Sequence, residues 1–308
     1  MNGEGVRRYW DEAARRGLSL RAAARKADVD ASVLCRALKG KWTGDMERVE
    51  ASCVQALEEM EGGAVFETSV VVGCRTTCSA VNYAREIGIV WGPLQCGKTT
   101  ALRDYVRRNH EACYCRVAAR SGTPILAEEM AKALGSASAE TATFRENRRY
   151  ILDNAVDRLL IIDELHEAFI IHGFEAAVAY VEFIREVHDR SGCGVVLCGT
   201  DALSRGFQDR RYAPVLRQTW ERGIVRKAFS ARPPWRDVTA AAKHHGIEEA
   251  LDEAAAKQWQ ARLKGMSFGA VCRLMRSARH MADKRARPMG WERVAEALAT
   301  LDQFAAAE

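Results

Sequence analysis

The 308-residue chain has only six prolines and no long apolar run. With 48% hydrophobic residues and so few prolines, it can bury a sizeable core in two or three domains. No stretch approaches the roughly 18 consecutive apolar residues that a membrane helix needs. The N-terminus also lacks the apolar segment of a signal peptide, because the charged pairs Arg7-Arg8 and Asp11-Glu12 interrupt it. We therefore expect an ordinary globular protein in the cytoplasm, without a membrane partner.

Disulfide and zinc spacings are also missing, although the chain has ten cysteines. Most of them lie inside apolar strand-like or helical segments, where a reduced thiol behaves as a small core residue. The spacings Cys74-x-x-x-Cys78 and Cys113-x-Cys115 have no second pair at the distance that a zinc site needs. We therefore expect reduced cysteines in an intracellular protein.

The chain has a net charge of +5, and its positive charge is concentrated in three segments. Residues 203–243 contain ten lysines and arginines against three acids, residues 262–293 nine against two, and residues 1–41 ten against five. A single cluster of this kind is usually a solvated face. Three clusters in one chain favour a polyanionic partner.

A complete G-x-x-x-x-G-K-[ST] phosphate loop follows an apolar strand predicted over residues 87–91. Its glycines let backbone N–H groups close around the α- and β-phosphates, and a helix predicted over residues 100–109 points its positive N-terminus at the anion. Lys98 is expected to reach the β- and γ-phosphate oxygens, and Thr99 to offer its hydroxyl to Mg²⁺. The residues predicted to bind a nucleoside triphosphate here are Gly92, Pro93, Leu94, Gln95, Cys96, Gly97, Lys98, Thr99 and Thr100.

A second apolar strand, predicted over residues 159–162, ends in two acids, which is the form of a Walker B element. We expect Asp163 to hold Mg²⁺ and Glu164 to polarise the water that attacks the γ-phosphate. The two acids could instead be helix-capping charges, but their spacing from the phosphate loop favours the catalytic interpretation. A further strand, predicted over residues 195–198, is followed by Thr200, a candidate γ-phosphate sensor. Mg²⁺ is the only metal that we expect.

The chain divides into three predicted parts. Residues 1–61 are all helical, and a Ser19 cap, a break at residues 28–30 and a second helix ending at Gly40 are typical of a helix-turn-helix. A helical hairpin without a DNA role would look the same. Residues 62–230 alternate strands and helices, which predicts an α/β parallel sheet with its ligand at the carboxyl ends of the strands. Residues 231–308 are predicted to be helical only.

In this order, the parts resemble the target-capture ATPases of Mu-type transposition, a branch of the AAA+ group. The resembling segments include 38–49, 65–68, 100–109, 160–164 and 195–199. The order of the parts, their lengths and residues 39–49 are the most specific features, whereas the phosphate loop and the two acids are shared by all AAA+ proteins. The resemblance implies an α/β AAA+ fold with an N-terminal helix-turn-helix domain and a C-terminal all-helical lid. It implies an ATPase, with ATP and Mg²⁺ as cofactors, that assembles as a homo-oligomeric filament or ring on double-stranded DNA without sequence preference. The DNA would be delivered to a partner DDE transposase, with hydrolysis controlling release and target immunity.

The resemblance also implies roles for single residues. Arg222 matches the arginine finger that completes the site of a neighbouring subunit, with Arg217 and Arg226 as rivals. Arg273 matches the second sensor, which would lie over the nucleotide. The sequence departs from the resembling protein at Thr200, where that protein has asparagine, although a threonine hydroxyl can still form hydrogen bonds.

Basic residues near the ends of the strands predicted over residues 113–118 and 195–198 are expected to contact duplex phosphates, together with residues of the helix-turn-helix. Alternatively, half of them are surface charges. The predicted DNA-binding residues are Ser32, Arg36, Lys39, Arg116, Arg120, Ser121, Arg205, Arg210 and Arg211.

Two other functions share many of these features. A helicase loader or replication-initiation ATPase would combine the same sheet with a DNA-binding accessory domain. An ATP-gated transcription regulator would use the helix-turn-helix to read an operator.

Overall fold

The computed structural model describes residues 3–15, 17–27, 29–60, 65–117, 122–171, 173–209, 211 and 213–305. The chain forms two compact units, residues 1–65 and 66–308. The predicted division after residue 61 lies outside the described residues, and the division after residue 230 stays a prediction. Within the described ranges, none of the helices combines the length and apolar character required to cross a membrane.

The first unit consists of helices around a small core. Its helices are α1 Glu4–Arg15, α2 Leu20–Lys26, α3 Ala31–Leu38 and α4 Met46–Met60. Ser19 and Asp30 cap α2 and α3 with their side-chain oxygens, which accept hydrogen bonds from backbone N–H groups. Tyr9, Leu34 and Cys53 are fully buried between the helices. The two short helices therefore stand where the helix-turn-helix was predicted.

Three side chains of this unit were predicted to meet DNA. Ser32, Arg36 and Lys39 are all exposed. Arg36 donates a hydrogen bond of 3.1 Å to the Ser32 hydroxyl and lies 5.1 Å from the centre of the Trp42 ring. The exposed face fits the predicted helix-turn-helix, whose role in DNA binding stays a prediction.

The second unit contains a five-stranded parallel sheet in the order β2-β3-β4-β1-β5. Its strands are β1 Ile87–Trp91, β2 Ala112–Arg116, β3 Leu159–Asp163, β4 Gly194–Gly199 and β5 Gly223–Ala228. The central strands β1, β3 and β4 are buried almost throughout, as expected for a sheet covered on both faces. The predicted parallel sheet is confirmed.

Helices cover this sheet and then form a group of their own. Those associated with the sheet are α5 Ser69–Ala84, α6 Lys98–Arg108, α7 Thr123–Ala133, α8 Phe144–Asn154, α9 Glu167–Ile171, α10 Gly173–Ser191, α11 Asp201–Gln208 and α12 Ala213–Arg222. The lid, as we call residues 231–305, contains α13 Trp235–His244, α14 Glu253–Arg262, α15 Phe268–Lys284 and α16 Trp291–Ala305. It has its own core around Trp259, Leu274 and Trp291. The predicted helical C-terminal region is confirmed.

The cysteines belong to these cores. All ten carry free thiols, and eight of them are buried. Burial raises the pKa of Cys78 to about 12, so this thiol stays protonated near neutral pH. The buried cysteines therefore pack as small apolar residues.

The core of the first unit can be tested at Leu34. We expect Leu34→Ala to lower the free energy of local unfolding of α1 to α4 by about 3 kcal/mol, because a fully buried leucine leaves a cavity. Hydrogen exchange of the full chain, followed by mass spectrometry, would measure this as faster exchange in those helices. Val54→Ala is the control, since Val54 is exposed and its truncation should change little. Equal exchange in both variants would contradict the assigned core.

Candidate nucleotide-binding site

The sheet register brings the predicted site residues to one edge. Trp91 at the end of β1 is paired with Gly199 of β4, and Ile162 of β3 is paired with Leu197 of the same strand. Because β4 lies between β1 and β3, the phosphate loop and the two acids flank the end of β4. This is the carboxyl edge of a parallel sheet, where such folds bind ligands.

The phosphate loop turns through two left-handed residues. Gln95 has φ +61° and Gly97 has φ +101°, and α6 starts directly after Gly97. The second conformation is one that glycine adopts without strain. Lys98 is buried and donates from Nζ to the backbone oxygens of Gly92, at 2.9 Å, and Pro93, at 2.8 Å. The lysine cation is thus held over the loop by neutral carbonyls.

The other loop residues form its rim and its base. Leu94 and Thr100 are exposed, and Cys96 is buried beneath the loop. The Sγ atom of Cys96 lies 3.5 Å from Lys98 Nζ. Of the predicted phosphate-binding residues, Gly92, Pro93 and Cys96 thus contact the lysine directly.

Asp163 is a buried carboxylate that joins three elements. Its Oδ2 atom accepts hydrogen bonds from the Thr99 hydroxyl at 2.7 Å and from the Tyr114 hydroxyl at 2.9 Å. Its Oδ1 atom accepts from the backbone N–H of Glu164 at 2.8 Å. Burial, followed by the nearby charge of Asp163, raises the pKa of Tyr114, which keeps this hydroxyl a donor. A buried carboxylate beside a threonine hydroxyl is an all-oxygen donor set, which fits Mg²⁺.

Glu164 follows in a conformation that is uncommon outside glycine, with φ +58°. Its carboxylate lies between two basic side chains. Arg116 Nη2 is 3.9 Å from Oε1, and His166 Nδ1 is 3.3 Å from Oε2. The predicted water-activating group is therefore partly exposed and is held beside the buried Asp163.

Thr200 directly follows β4, and its side chain caps α11. The Oγ1 atom accepts a hydrogen bond of 3.4 Å from the backbone N–H of Ala202. The register places Thr200 between the phosphate loop and Asp163, where a γ-phosphate sensor was predicted.

One residue of the phosphate loop contacts the lid. Gln95 Oε1 accepts hydrogen bonds from Ser267 Oγ at 2.9 Å and from Arg273 Nη2 at 2.8 Å. The backbone oxygen of Gln95 also accepts from the N–H of Gly269 at 2.8 Å. The side chain of Arg273, the predicted second sensor, is thus hydrogen-bonded directly to the phosphate loop, as is the start of α15.

Arg222 lies at the opposite edge of the sheet. It ends α12 immediately before β5, whose first residue Gly223 is paired with Ile87 at the start of β1. The four steps from Ile87 to Trp91 span about 13 Å. Arg222 forms an exposed ion pair with Asp189, so the structure separates it from the phosphate loop of its own chain. Of its rivals, Arg217 pairs with Glu221, and Arg226 lies over the Trp220 ring.

The described members of the predicted DNA-binding set in this unit lie on different segments of the chain. Arg116 lies beside Glu164, and Arg205 is exposed on α11. Arg211 is bonded to Asp209, and its hydrogen bonds lower the pKa of that carboxyl to about 2. The remaining three, Arg120, Ser121 and Arg210, lie outside the described residues.

A cavity that the sequence did not predict adjoins the phosphate loop. Its volume is about 710 Å³, and it is bounded by the start of α5, the end of β5 and the start of α13. Val72, Phe229, Pro233 and Phe268 supply apolar wall, and Cys96 connects the cavity to the loop. No motif marks these residues, because they come from four separate segments and share only their apolar character.

A buried ion-dipole contact holds one wall of this cavity. Asp237 of α13 accepts hydrogen bonds from the backbone N–H of Ser69, at 2.9 Å, and from the Ser69 hydroxyl. Asp237 is 3% exposed, so this contact ties the lid to the start of α5. The cavity therefore changes shape if the lid moves.

Comparison with known proteins agrees with this geometry. Residues 81–206 match the family model described as AAA domain. None of the curated proteins matches the chain.

Several solved structures are similar in fold. The ORC2 protein of Aeropyrum pernix, solved with ADPNP and ADP, superposes with a TM-score of 0.53 at 14% identity, covering 75% of this chain and 66% of that one. This chain thus spans slightly less than two thirds of that protein. Domain III of the replication initiation protein DnaA from Thermotoga maritima gives a TM-score of 0.51 at 16% identity, covering 76% of this chain and 93% of that domain. At these identities the likeness shows the fold alone. The fold similarity agrees with the matched family model, which covers residues 81–206.

Proposed function

We propose that this chain is an ATP-driven switch that assembles on double-stranded DNA and leaves it after hydrolysis. The observation that carries the nucleotide part is the contact of Thr99 and Asp163 beside Glu164, at the carboxyl edge of the sheet. The three basic segments support the DNA part, since phosphate contacts give affinity without sequence preference.

ATP fits the site in two parts. The phosphates would occupy the loop, where Lys98 exchanges its bonds to two carbonyls for bonds to phosphate oxygens. The nucleoside would enter the cavity of about 710 Å³, whose apolar walls include Phe229 and Phe268. Thr99 and Asp163 would hold Mg²⁺, which neutralises charge on the phosphate oxygens.

Glu164 is placed to accept the proton of the attacking water. Its carboxylate is one residue beyond Asp163 and is partly exposed, so water reaches it. The positive charge of Arg116, 3.9 Å away, draws the carboxylate to one side. Movement of Arg116 would therefore alter the orientation of the base.

The lid contact supplies a response to the nucleotide. Arg273 donates to the neutral side chain of Gln95, so only the donor of this hydrogen bond is charged. A bond from the same guanidinium to a phosphate oxygen joins opposite charges and can be bidentate, so it is stronger. A bound triphosphate would therefore draw Arg273 away from Gln95 and shift the start of α15.

Two partner classes follow from different observations. The fold similarity to a protein titled a replication initiation protein favours a helicase loader or initiator. The N-terminal unit, with Ser32, Arg36 and Lys39 exposed on one short helix and its end, favours the second candidate, a target-capture ATPase that serves a DDE transposase. Capture of a replicative helicase by the purified chain with ATP would support the first, and capture of a transposase the second.

The central experiment is electron microscopy of the chain with ATP and random duplex DNA. We expect repeating subunits along the DNA. Lys98→Ala should abolish them, because the loop loses the one positive side chain that would bind the phosphates. Leu94→Ala, an exposed neighbour on the same loop, is the control and should assemble normally. A chain that stays monomeric with ATP and long duplex would contradict the proposal.

Hydrolysis should depend on Glu164. Glu164→Gln is expected to lower the steady-state rate of ATP hydrolysis roughly 10²–10⁴-fold, because the amide cannot accept the proton of water. Binding of ATP and assembly on DNA should persist, and the assembled state should last longer. Filter binding of labelled ATP and the lifetime of complexes after dilution would measure both. Loss of ATP binding in this variant would instead assign Glu164 a structural role.

The contact between Gln95 and the lid can be tested without nucleotide. Gln95→Ala removes the acceptor shared by Ser267 and Arg273, so amide exchange in the first turn of α15 should become about tenfold faster, equivalent to about 1.4 kcal/mol. Leu94→Ala is again the matched control. Unchanged exchange would mean that the lid is held mainly by other contacts, such as that of Asp237 with Ser69.

A further inference from the structure

The turn that follows the Walker B strand gathers three potential metal ligands. Glu164, His166 and Glu167 each offer one ligand atom, and these atoms lie within 4.8 Å of one another. We call these residues the turn triad. The hydrolysis described above uses only Glu164, so His166 and Glu167 need another explanation.

His166 is the central member of the triad. Its side chain is 6% exposed, with Nδ1 at 3.3 Å from Glu164 Oε2 and Nε2 at 3.7 Å from Glu167 Oε1. Among the described residues, buried Nδ1 has no partner in hydrogen-bonding geometry. Leaving such an atom unsatisfied is unfavourable, and a bound cation would offset this cost. The ring thus directs an unsatisfied nitrogen towards a carboxylate that is close by.

The backbone holds the triad in place before any ligand arrives. The left-handed conformation of Glu164, at φ +58°, reverses the chain after β3. Leu165 N–H then donates to Cys198 O at 2.9 Å, which fixes the turn to β4. Glu167 N–H donates to Glu164 O at 3.0 Å, which starts α9 and keeps the two glutamates on adjacent sides of His166. A preformed site of this kind needs little reorganisation to bind.

One imidazole and two carboxylates specify the class of ion. Mg²⁺ prefers oxygen ligands in octahedral geometry, whereas an imidazole nitrogen with carboxylates suits Zn²⁺, Co²⁺ or Mn²⁺. Three protein ligands leave a fourth position of Zn²⁺ open to water. One ring nitrogen binds the ion, and the three ligand atoms lie within 4.8 Å of one another. The carboxylates would therefore have to move inward to form bonds of about 2.1 Å, which their partial exposure allows.

We propose that the turn triad binds a divalent transition-metal ion such as Zn²⁺, next to the Mg²⁺ position at Thr99 and Asp163. The ion takes the Glu164 carboxylate as a ligand and withdraws it from water, so that hydrolysis stops while the nucleotide stays bound. The binding step is independent of the proposed function, whereas the inhibition rests on the role assigned to Glu164. Arg116 is the charged group that opposes the ion, because it lies 3.9 Å from the same carboxylate.

Binding is tested on the full chain without nucleotide. Titration with Co²⁺, followed by visible absorption, should show one binding site. The spectrum should be that of Co²⁺ with nitrogen and oxygen ligands, and Zn²⁺ should displace the Co²⁺. His166→Ala and Glu167→Gln should each weaken binding at least roughly tenfold. His280→Ala, which removes an exposed histidine, is the matched control and should bind as the parent chain does.

Thiols are the main rival ligands, because the chain has ten cysteines. A sulfur-to-cobalt charge-transfer band would place the ion on cysteine and overturn the proposal. Absence of binding, or equal binding by Glu167→Gln and the parent chain, would overturn it as well.

Inhibition is measured separately, as steady-state hydrolysis of Mg²⁺ and ATP with added Zn²⁺. At saturating Zn²⁺ we expect at least a tenfold loss of rate, reversed by a chelator, without loss of bound nucleotide. Glu167→Gln should resist this loss, which excludes an effect of Zn²⁺ on ATP itself, since that effect would be the same in both proteins. Equal inhibition of both would overturn the inhibitory role. A parent chain that binds Co²⁺ at the triad but never hydrolyses ATP would contradict the proposed function and leave the metal site standing.

Discussion

The hydrogen bond from the Thr99 hydroxyl to the Asp163 carboxylate is the contact on which the site depends. It joins the first turn of α6 to the end of β3 across the intervening strand β4. Asp163 is 1% exposed, and a buried carboxylate is tolerated only when donors surround it. Thr99, Tyr114 and the backbone of Glu164 supply those donors, and in doing so they fix the phosphate loop, the second strand and the catalytic turn relative to one another.

The lid is attached to the same framework by a different kind of contact. Gln95 of the phosphate loop accepts hydrogen bonds from Ser267 and Arg273, and Asp237 of the lid accepts from Ser69 at the start of α5. A phosphate that binds Arg273 would replace its contact with Gln95. The sheet edge is therefore fixed while the lid is adjustable. That division suits a site in which the phosphates must be held in one geometry and the surrounding helices must report their presence.

Much of this arrangement could be predicted from local patterns. Apolar runs predicted strands β1 to β4. The loop motif and the paired acids predicted phosphate and Mg²⁺ positions, which stay predictions. Neither α5 nor β5 was predicted, and each omission has a physical reason. The β-branched run Val70-Val71-Val72 is typical of a strand, yet it lies in the helix α5. This helix forms because Thr68 caps it and because it packs against the sheet. The edge strand β5 has mostly exposed residues, so no apolar run marks it. Tertiary contacts, rather than local sequence patterns, determine both α5 and β5.

For the site residues too, sequence motifs predicted only part of the arrangement. Lys98, Asp163 and Glu164 lie in motifs, and their spacing along the chain reflects a shared sheet edge. Arg116 has no motif, and the sequence placed it among the DNA contacts, whereas the structure places it beside Glu164 because β2 pairs with β3. The cavity and the turn triad were also invisible, since both depend on which side chains a fold brings together.

In the proposed function, ATP binding and ATP hydrolysis would be separate events because of where Arg222 lies. One chain contains the phosphate loop and the residues proposed to bind Mg²⁺ and activate water, whereas Arg222 lies at the other end of β1, a strand about 13 Å long. The exposed ion pair between Arg222 and Asp189 contributes only about 0–1 kcal/mol. Phosphates bound to a neighbouring chain could therefore replace Asp189 as the partner of Arg222 at little cost. A single chain would then bind ATP and hydrolyse it slowly, whereas adjacent chains on DNA would complete each other's sites. In that arrangement the lifetime of the assembly, rather than the affinity for ATP, sets when the DNA is released.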